Sequence, residues 1–198
     1  ANGPKPGDVK YADIGGPDGK PDGIIDAFDR TFIGNSFPRY EYSVNLNLSY
    51  ANFDLNLFGQ GVGMRKNYLS GTGAIPFNSS DFVASLLSIH KDYWTPTNTN
   101  ATFPRLLPSG SGGTNFVASD KWIRSAAYFR IKNINLGYRL PSSVINRLKI
   151  TGAKIYVSGQ NLLTFTDTWN GFDPEINSQT GQFYPLMKTF TVGVNLNF

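Results

Sequence analysis

The chain has 198 residues, a formal net charge of +4 and charged side chains at only 16 % of positions, below the roughly 25 % usual for soluble domains. Gly (21), Pro (12), Asn (19), Ser (16) and Thr (14) are abundant, aromatics reach 14 %, and cysteine is absent. This excludes a coiled coil, a helical bundle, a charge-rich disordered tail and thiolate chemistry, and the scattered cations give no basis for a nucleic-acid partner. An all-β protein with turn-rich loops is what remains. The longest unbroken apolar run, AAYF at 126–129, is far short of the ~20 residues of a transmembrane helix, but strands that cross a bilayer leave only an alternating signal. Beginning at Ala1 without a leader, the chain is expected to be a mature or internal piece.

Residues 1–39 read as a loop with an Asp/Gly-rich motif. Six of the 14 acidic residues fall between Asp8 and Asp29. Asp18, Asp22, Asp26 and Asp29 occupy positions 1, 5, 9 and 12 of an EF-hand-like frame, with Gly23 at position 6. Calcium takes several oxygen ligands from such a flexible loop, so these four are the candidate metal ligands. Lys20 at position 3 and Asp29 in place of a bidentate Glu depart from the pattern. The alternative is a turn cluster satisfied by its own backbone.

Period two begins at Tyr40. In 40–50, Tyr40, Tyr42, Val44, Leu46, Leu48 and Tyr50 share one face, and Glu41, Ser43, Asn45, Asn47 and Ser49 the other. The length suits a tilted transmembrane strand, with tyrosines at both ends of the apolar row. A two-residue turn at 51–52 leads into a second strand, 53–62, and places Tyr50 opposite Phe53, Leu48 opposite Leu55 and Leu46 opposite Leu57. Through 53–61 nearly every apolar residue is sorted from the polar ones, with Phe58 the exception. A slip of one residue would destroy this sorting, which specifies the register.

A long connection, 63–125, carries clustered aromatics. A third strand is expected at 126–138, where Phe129 and Ile131 share one parity and Ile134, Leu136 and Tyr138 the other; a bulge near Lys132-Asn133 reconciles them. The connection 139–152 contains PSSVINRLKI, readable as a short helix with Val144, Ile145 and Leu148 as its stripe, or as an irregular turn. Ile155, Val157 and Gly159 alternate through a fourth strand, 153–163. After a second long connection, 164–187, Phe190, Val192, Val194, Leu196 and Phe198 alternate with Thr, Gly and Asn in a fifth, 188–198.

The connections alternate long and short. Outer-membrane barrels put short turns in the periplasm and long loops outside. On that rule 1–39, 63–125 and 164–187 are extracellular, 51–52 and 139–152 are periplasmic, and Phe198 ends in the periplasm. Five strands cannot close a barrel, and each unpaired backbone group of an open edge costs several kcal/mol in lipid. The remainder of a barrel is therefore an expected partner, as is outer-membrane lipid.

Enzyme chemistry is not expected. His90 is the sole histidine, and Asp173 and Glu175 in FDPE, two residues apart in an extended Pro-containing segment, are expected to point to opposite sides and serve a turn. Gly59, Gly61 and Gly63 lack the helix a phosphate loop needs. Tyr93, Trp94, Trp122, Trp169 and Phe172 are candidates for contact with substrate or partner, with packing of the loops as the alternative.

The stretches PGDVKYADIGG…DGIIDAFDRTFIGN (6–35), YEYSVNLNLSYANFDLNLFGQG (40–61), HKDYWTPTNTNATFPRL (90–106), AAYFRIKNINLGYRLP (126–141), KIYVSGQNLLTFT (154–166), FDPE (172–175) and TFTVGVNLNF (189–198) occur in that order. Together they resemble the C-terminal portion of SusC/RagA-type TonB-dependent outer-membrane transporters of Bacteroidetes. The resemblance implies C-terminal antiparallel strands, about five, of a large 22-stranded transmembrane β-barrel with a plug and long extracellular loops. It implies import of glycans or peptides under a SusD-like surface lipoprotein lid, energised by the TonB complex through an N-terminal part outside this chain. In that family the acidic motif starts at the position of Asp13, which makes Asp13 an alternative first ligand. Other classes kept open are a soluble all-β carbohydrate-binding surface module with a calcium-stabilised loop, and a passive porin segment.

Overall fold

Alternating apolar and polar side chains make a strand with two unlike faces, and five such strands build one sheet here. The computed structural model describes residues 4–78, 86–107, 113–176 and 180–198, apart from the Leu148 side chain, so the stripe position expected of Leu148 lies outside the described residues. The strands are β1 (Tyr40–Tyr50), β2 (Phe53–Gly63), β3 (Lys66–Tyr68), β4 (Ile123–Ser125), β5 (Tyr128–Arg139), β6 (Gly152–Thr166) and β7 (Thr189–Asn197). The large sheet runs β1-β2-β5-β6-β7, every neighbour antiparallel, and β3 pairs with β4 in a small separate sheet.

Ala51 takes φ 51°, the left-handed conformation that primed hairpin turns use to match strand twist. With that turn Tyr50 pairs with Phe53, Leu48 with Leu55 and Leu46 with Leu57. Farther along, Phe58 pairs with Asn133 and Gly59 with Ile131, which leaves Lys132 without a partner. The same defect crosses the next ladder, where Ile131 pairs with Leu163 and Asn133 with Gln160. Asn161 and Leu162 are skipped, and Asn161 sits at φ 53°. A second bulge beside the first restores parity, so Leu163 and Phe165 rejoin the apolar face. This is why β6 runs to Thr166, past the stretch whose alternation is visible in sequence.

The apolar face is bare. Leu46 is 42 % exposed, Leu136 47 % and Val192 74 %, and no second layer covers them among the described residues. Aromatics border it in two rows: Tyr40, Tyr42, Phe129, Phe165 and Phe190 at one end, Tyr50, Phe53, Tyr138 and Phe198 at the other. Eight residues separate Tyr42 from Tyr50, about 26 Å along the strand at ~3.3 Å per residue, or roughly 20 Å of height at the ~40° tilt of barrel strands, which fits between the two aromatic girdles of an outer-membrane barrel. At the first end the rings of Tyr42 and Phe129 stack, centroids 6.1 Å apart, over Gly61 and Gly59. A Cβ at Gly61 would collide with the Tyr42 ring and the Tyr128 carbonyl.

All the long connections leave the sheet at that end, and the 51–52 turn and the helix-containing 140–151 connection close the other. The first long connection carries β3 and then helix α1 (Gly71–Ala74); helix α2 (Ser142–Leu148) lies in the turn-end connection. The buried core sits among the loops rather than on the sheet.

Candidate functional site

Short backbone pairings hold the loop layer. The β3–β4 pair brings Leu69 beneath Trp122, whose carbonyl accepts from the Leu69 amide at 2.8 Å. Leu69, Ala74, Phe103, Trp122 and Trp169 form the core, with Phe103 5.7 Å from the Trp122 ring and 6.1 Å from that of Trp169. The Trp122 indole N–H donates to the Asn115 carbonyl at 3.1 Å, and the Arg124 guanidinium lies 4.2 Å over the Trp169 ring. His90 is 1 % exposed and meets Phe103 edge-on at 4.9 Å. Its Nδ1 accepts from the Leu87 amide at 3.2 Å, so Nε2 carries the proton and donates to the Gly73 carbonyl at 2.9 Å. Burial lowers the His90 pKa and outweighs the opposing pull of the Gly73 carbonyl.

These positions sort the aromatic candidates. Trp122 and Trp169, 1 % and 7 % exposed, are core residues with no surface to offer. Tyr93 and Phe172 pack against that core from its margin. Trp94 lines a cleft of about 510 Å³, together with Val9, Tyr11, Phe103, Asp120 and Lys121. The N-terminal segment is stitched over this cleft. Asp8 accepts from Arg105 Nε at 2.6 Å and Asn115 Nδ2 at 3.0 Å, and the Val9 amide donates to Asn115 Oδ1 at 2.7 Å. The Arg105 hydrogen bond holds the Asp8 carboxyl well below the usual range, at about 2. Burial, with Arg124 nearby, lowers the pKa of Lys121. An aromatic wall beside two cations, Lys10 and Lys121, and two carboxylates, Asp8 and Asp120, suits a flexible ligand that carries both apolar surface and hydrogen-bonding groups.

The polar face of the sheet carries a second set of groups. Asn56 Nδ2 donates to Asn47 Oδ1 and, at 3.5 Å, to Asn45 Oδ1. Asp54 accepts from Lys154 at 2.7 Å and lies 3.7 Å from Arg139. Near the loop end Arg130, its side chain 4 % exposed, reaches both acids of FDPE: Asp173 at 2.9 Å and Glu175 at 3.0 Å. Lys132 joins Glu175. The expectation that Asp173 and Glu175 point to opposite sides is corrected here. The Ile176 amide bonds back to the Asp173 carbonyl, so the segment turns and both carboxylates converge on one guanidinium. Neutralised in this way, they lack the separation and the free acid of a glycosidase pair. Sequence reading missed the clasp, although two cations at 130 and 132 facing two acids at 173 and 175 with the same spacing were its signal.

In the 13–29 segment, carboxylates and backbone amides close on each other. Asp13 accepts from the amides of Asp22, at 3.3 Å, and Gly23. Asp29 accepts from Ile14 at 2.7 Å, Gly15 at 3.1 Å and Asp26 at 2.8 Å, and these amides lower its pKa. Asp22 and Asp26 cap the amides of Ile24 and Phe28, while Asp18 forms no hydrogen bond among the described residues. No three acidic or histidine side chains gather as a metal would require among the described residues.

No family model matches the chain. It is 35 % identical, over 98 % of its length, to TonB-dependent receptor P3 of Formosa agariphila, and 33 % identical over 52 % of its length to TonB-dependent receptor SusC of Bacteroides thetaiotaomicron. It covers 19 % of the first and 10 % of the second. The RagAB peptide importer in its open-open state superposes with a TM-score of 0.64 at 23 % identity, over 92 % of this chain and 20 % of that one, which shows a common fold. The RagAB peptide transporter gives 0.61 at 25 % identity, over 83 % of this chain and 18 % of that one. The chain thus spans about a fifth or less of the length of these relatives. It belongs to the SusC-like TonB-dependent receptors and corresponds to a C-terminal portion of their outer-membrane β-barrel.

Proposed function

We infer that this chain supplies the last barrel strands and the surface loops of a TonB-dependent importer of glycans or peptides, working under a SusD-like lipoprotein lid. The observation that carries the reading is the two-faced sheet: an uncovered apolar belt bordered by two aromatic rows, backed by a polar face of Asn, Ser and charge clasps. Lipid covers such a belt, and water or a plug meets the other face. Loop length supports an orientation with 64–127 and 167–188 outside the cell, and with 51–52, 140–151 and Phe198 in the periplasm. β1 and β7 each have one free edge, which the rest of the barrel pairs. The plug and the TonB contact belong to that remainder. The Trp94 cleft is the surface for the substrate or the lid. Calcium at 13–29 is not needed for this reading, since Asp13 and Asp29 already close the segment.

The test is made on the whole receptor. Its barrel is expected in the outer membrane with heat-dependent gel mobility, and uptake of oligosaccharide or oligopeptide is expected to stop when TonB is removed. Recovery of the chain as a stable monomer in detergent-free buffer would refute the assignment.

A further inference from the structure

We propose that the turn end of this barrel segment binds the phosphate headgroups of anionic phospholipid in the adjacent leaflet, through Arg147 and Lys149 of the α2 connection. The inference rests on the barrel reading above. Its starting point is where the charges lie. Residues 49–54, 138–154 and 195–198, which make up the turn end, hold four cations (Arg139, Arg147, Lys149, Lys154) and one acid, Asp54, a net charge of +3. The rest of the chain is close to balance, with fourteen cations and thirteen acids.

The four cations are not equivalent. Lys154 and Arg139 share Asp54 on the polar face of the sheet, so their charge is answered from within. Arg147 and Lys149 are exposed, and neither forms an ion pair or a side-chain hydrogen bond among the described residues. The backbone of α2 does not consume them either. Its C-terminal end is closed by main-chain amides: Lys149, at φ 55°, donates to the Asn146 carbonyl at 3.3 Å, and Ile150 to that of Ile145 at 3.4 Å.

Apolar surface stands beside this charge. Val144 of α2 is 39 % exposed. Ile145 lines a cleft of about 840 Å³ with Leu140, Ala153, Val194 and Leu196 of the apolar face and with Arg139, Lys154 and Asn195 of the polar one, so α2 stands at the rim where the belt meets charge. Tyr50 and Phe198, 84 % and 90 % exposed, mark the same depth, where a bilayer changes from acyl chain to headgroup. Free cations directly beyond an aromatic row, joined to apolar side chains on its membrane side, match an anionic phospholipid: phosphate for the cations, acyl chain for Ile145 and Leu196. An acidic protein partner would use the charge and leave the apolar side of this rim unexplained.

The test uses the full receptor reconstituted into vesicles of equal parts phosphatidylcholine and phosphatidylglycerol, then re-extracted with its retained lipid measured. Phosphatidylglycerol is expected to be enriched, and each cation near an anionic surface is worth about fivefold, so Arg147→Gln with Lys149→Gln is expected to cut the preference by about twenty-fivefold. The control Lys10→Gln with Lys20→Gln, at the loop end, is expected to leave it intact. A folded, inserted receptor with no anionic preference, or a preference unchanged in the double variant, overturns the proposal and leaves the barrel reading standing. Failure of the wild-type receptor to insert as a barrel overturns both.

Discussion

Arg130 of β5 is held by Asp173, which lies beyond the end of β6, with Nη2 2.9 Å from both carboxylate oxygens. Glu175 takes Nη1 at 3.0 Å, and Arg130 Nε donates to Thr164 Oγ1 at 2.7 Å. One guanidinium thus ties the second long loop down onto the polar face of two strands. Arg130→Ala leaves two acids in a poorly solvated site with Lys132 alone to answer them. Breaking a buried pair in this way typically costs about 3–5 kcal/mol. The receptor variant is expected to unfold at lower urea and to be cleaved by protease within 167–188, while Arg130→Lys recovers only part, because an ammonium cannot serve both acids in a fork. Unchanged cleavage would mean that the loop is anchored elsewhere.

Leu46 and Asn47 are neighbours on β1 with opposite surroundings. Leu46 stands midway between Tyr42 and Tyr50 in the apolar row, and Asn47 faces Asn56 across the polar one. An arginine at mid-depth on a lipid face costs about 2–4 kcal/mol, while inward positions tolerate charge. Leu46→Arg is expected to lower barrel stability in lipid by that amount and Asn47→Arg to change it little, read from heat-dependent gel mobility. Equal losses would contradict the lipid belt.

The sheet was legible in sequence because each strand states its own two faces. Tyr42 to Tyr50 alternate without a break, so strand, face and register follow from parity alone, and the parity change between Ile131 and Ile134 announces the bulge at Lys132. Its companion at Asn161-Leu162 was not legible, since in NLLTFT two adjacent leucines leave the face undecided. The loop core was hidden for a different reason. Trp122 and Trp169 sit in separate loops and meet only through tertiary packing, and β3 and β4, three residues each, are too short to show a period. Aromatics read as surface candidates therefore turned out to divide between core and cleft, a division that depends on burial and not on residue type.

Asp29 accepts three amides and Asp13 two, which makes carboxylate caps the closure of the 13–29 segment. Calcium would have to compete for those same oxygens. Calorimetric titration of the receptor with calcium is expected to give no heat assignable to this segment. Asp29→Ala, by freeing the amides of Ile14, Gly15 and Asp26, is expected to expose it to proteolysis with or without the ion. Heat that disappears in Asp29→Ala would establish the ion site instead.

His90 gives the loop core a pH dependence whose sign is fixed by burial. Its pKa in the folded core lies below the ordinary 6.5, because an imidazolium there would lose hydration and would force a proton onto the Nδ1 that accepts from Leu87. Above about 6.5 the imidazole is neutral in both closed and opened loops, and nothing is lost. As pH falls through that value the opened form takes up a proton that the closed form refuses, so opening becomes easier until the buried ring itself titrates. Asp8, held at about 2 by Arg105, acts in a separate window: its contribution is present above 3.8 and lost between there and 2. With the base-catalysed intrinsic rate divided out, amide protection over 86–107 is therefore expected to be higher at pH 8 than at pH 5, with Asp8 ionised throughout. His90→Gln, which keeps a donor for the Gly73 carbonyl but does not titrate, is expected to flatten that dependence. Wild-type protection free of any step near pH 6 would show that the imidazole stays hydrated and that the loop core opens around it.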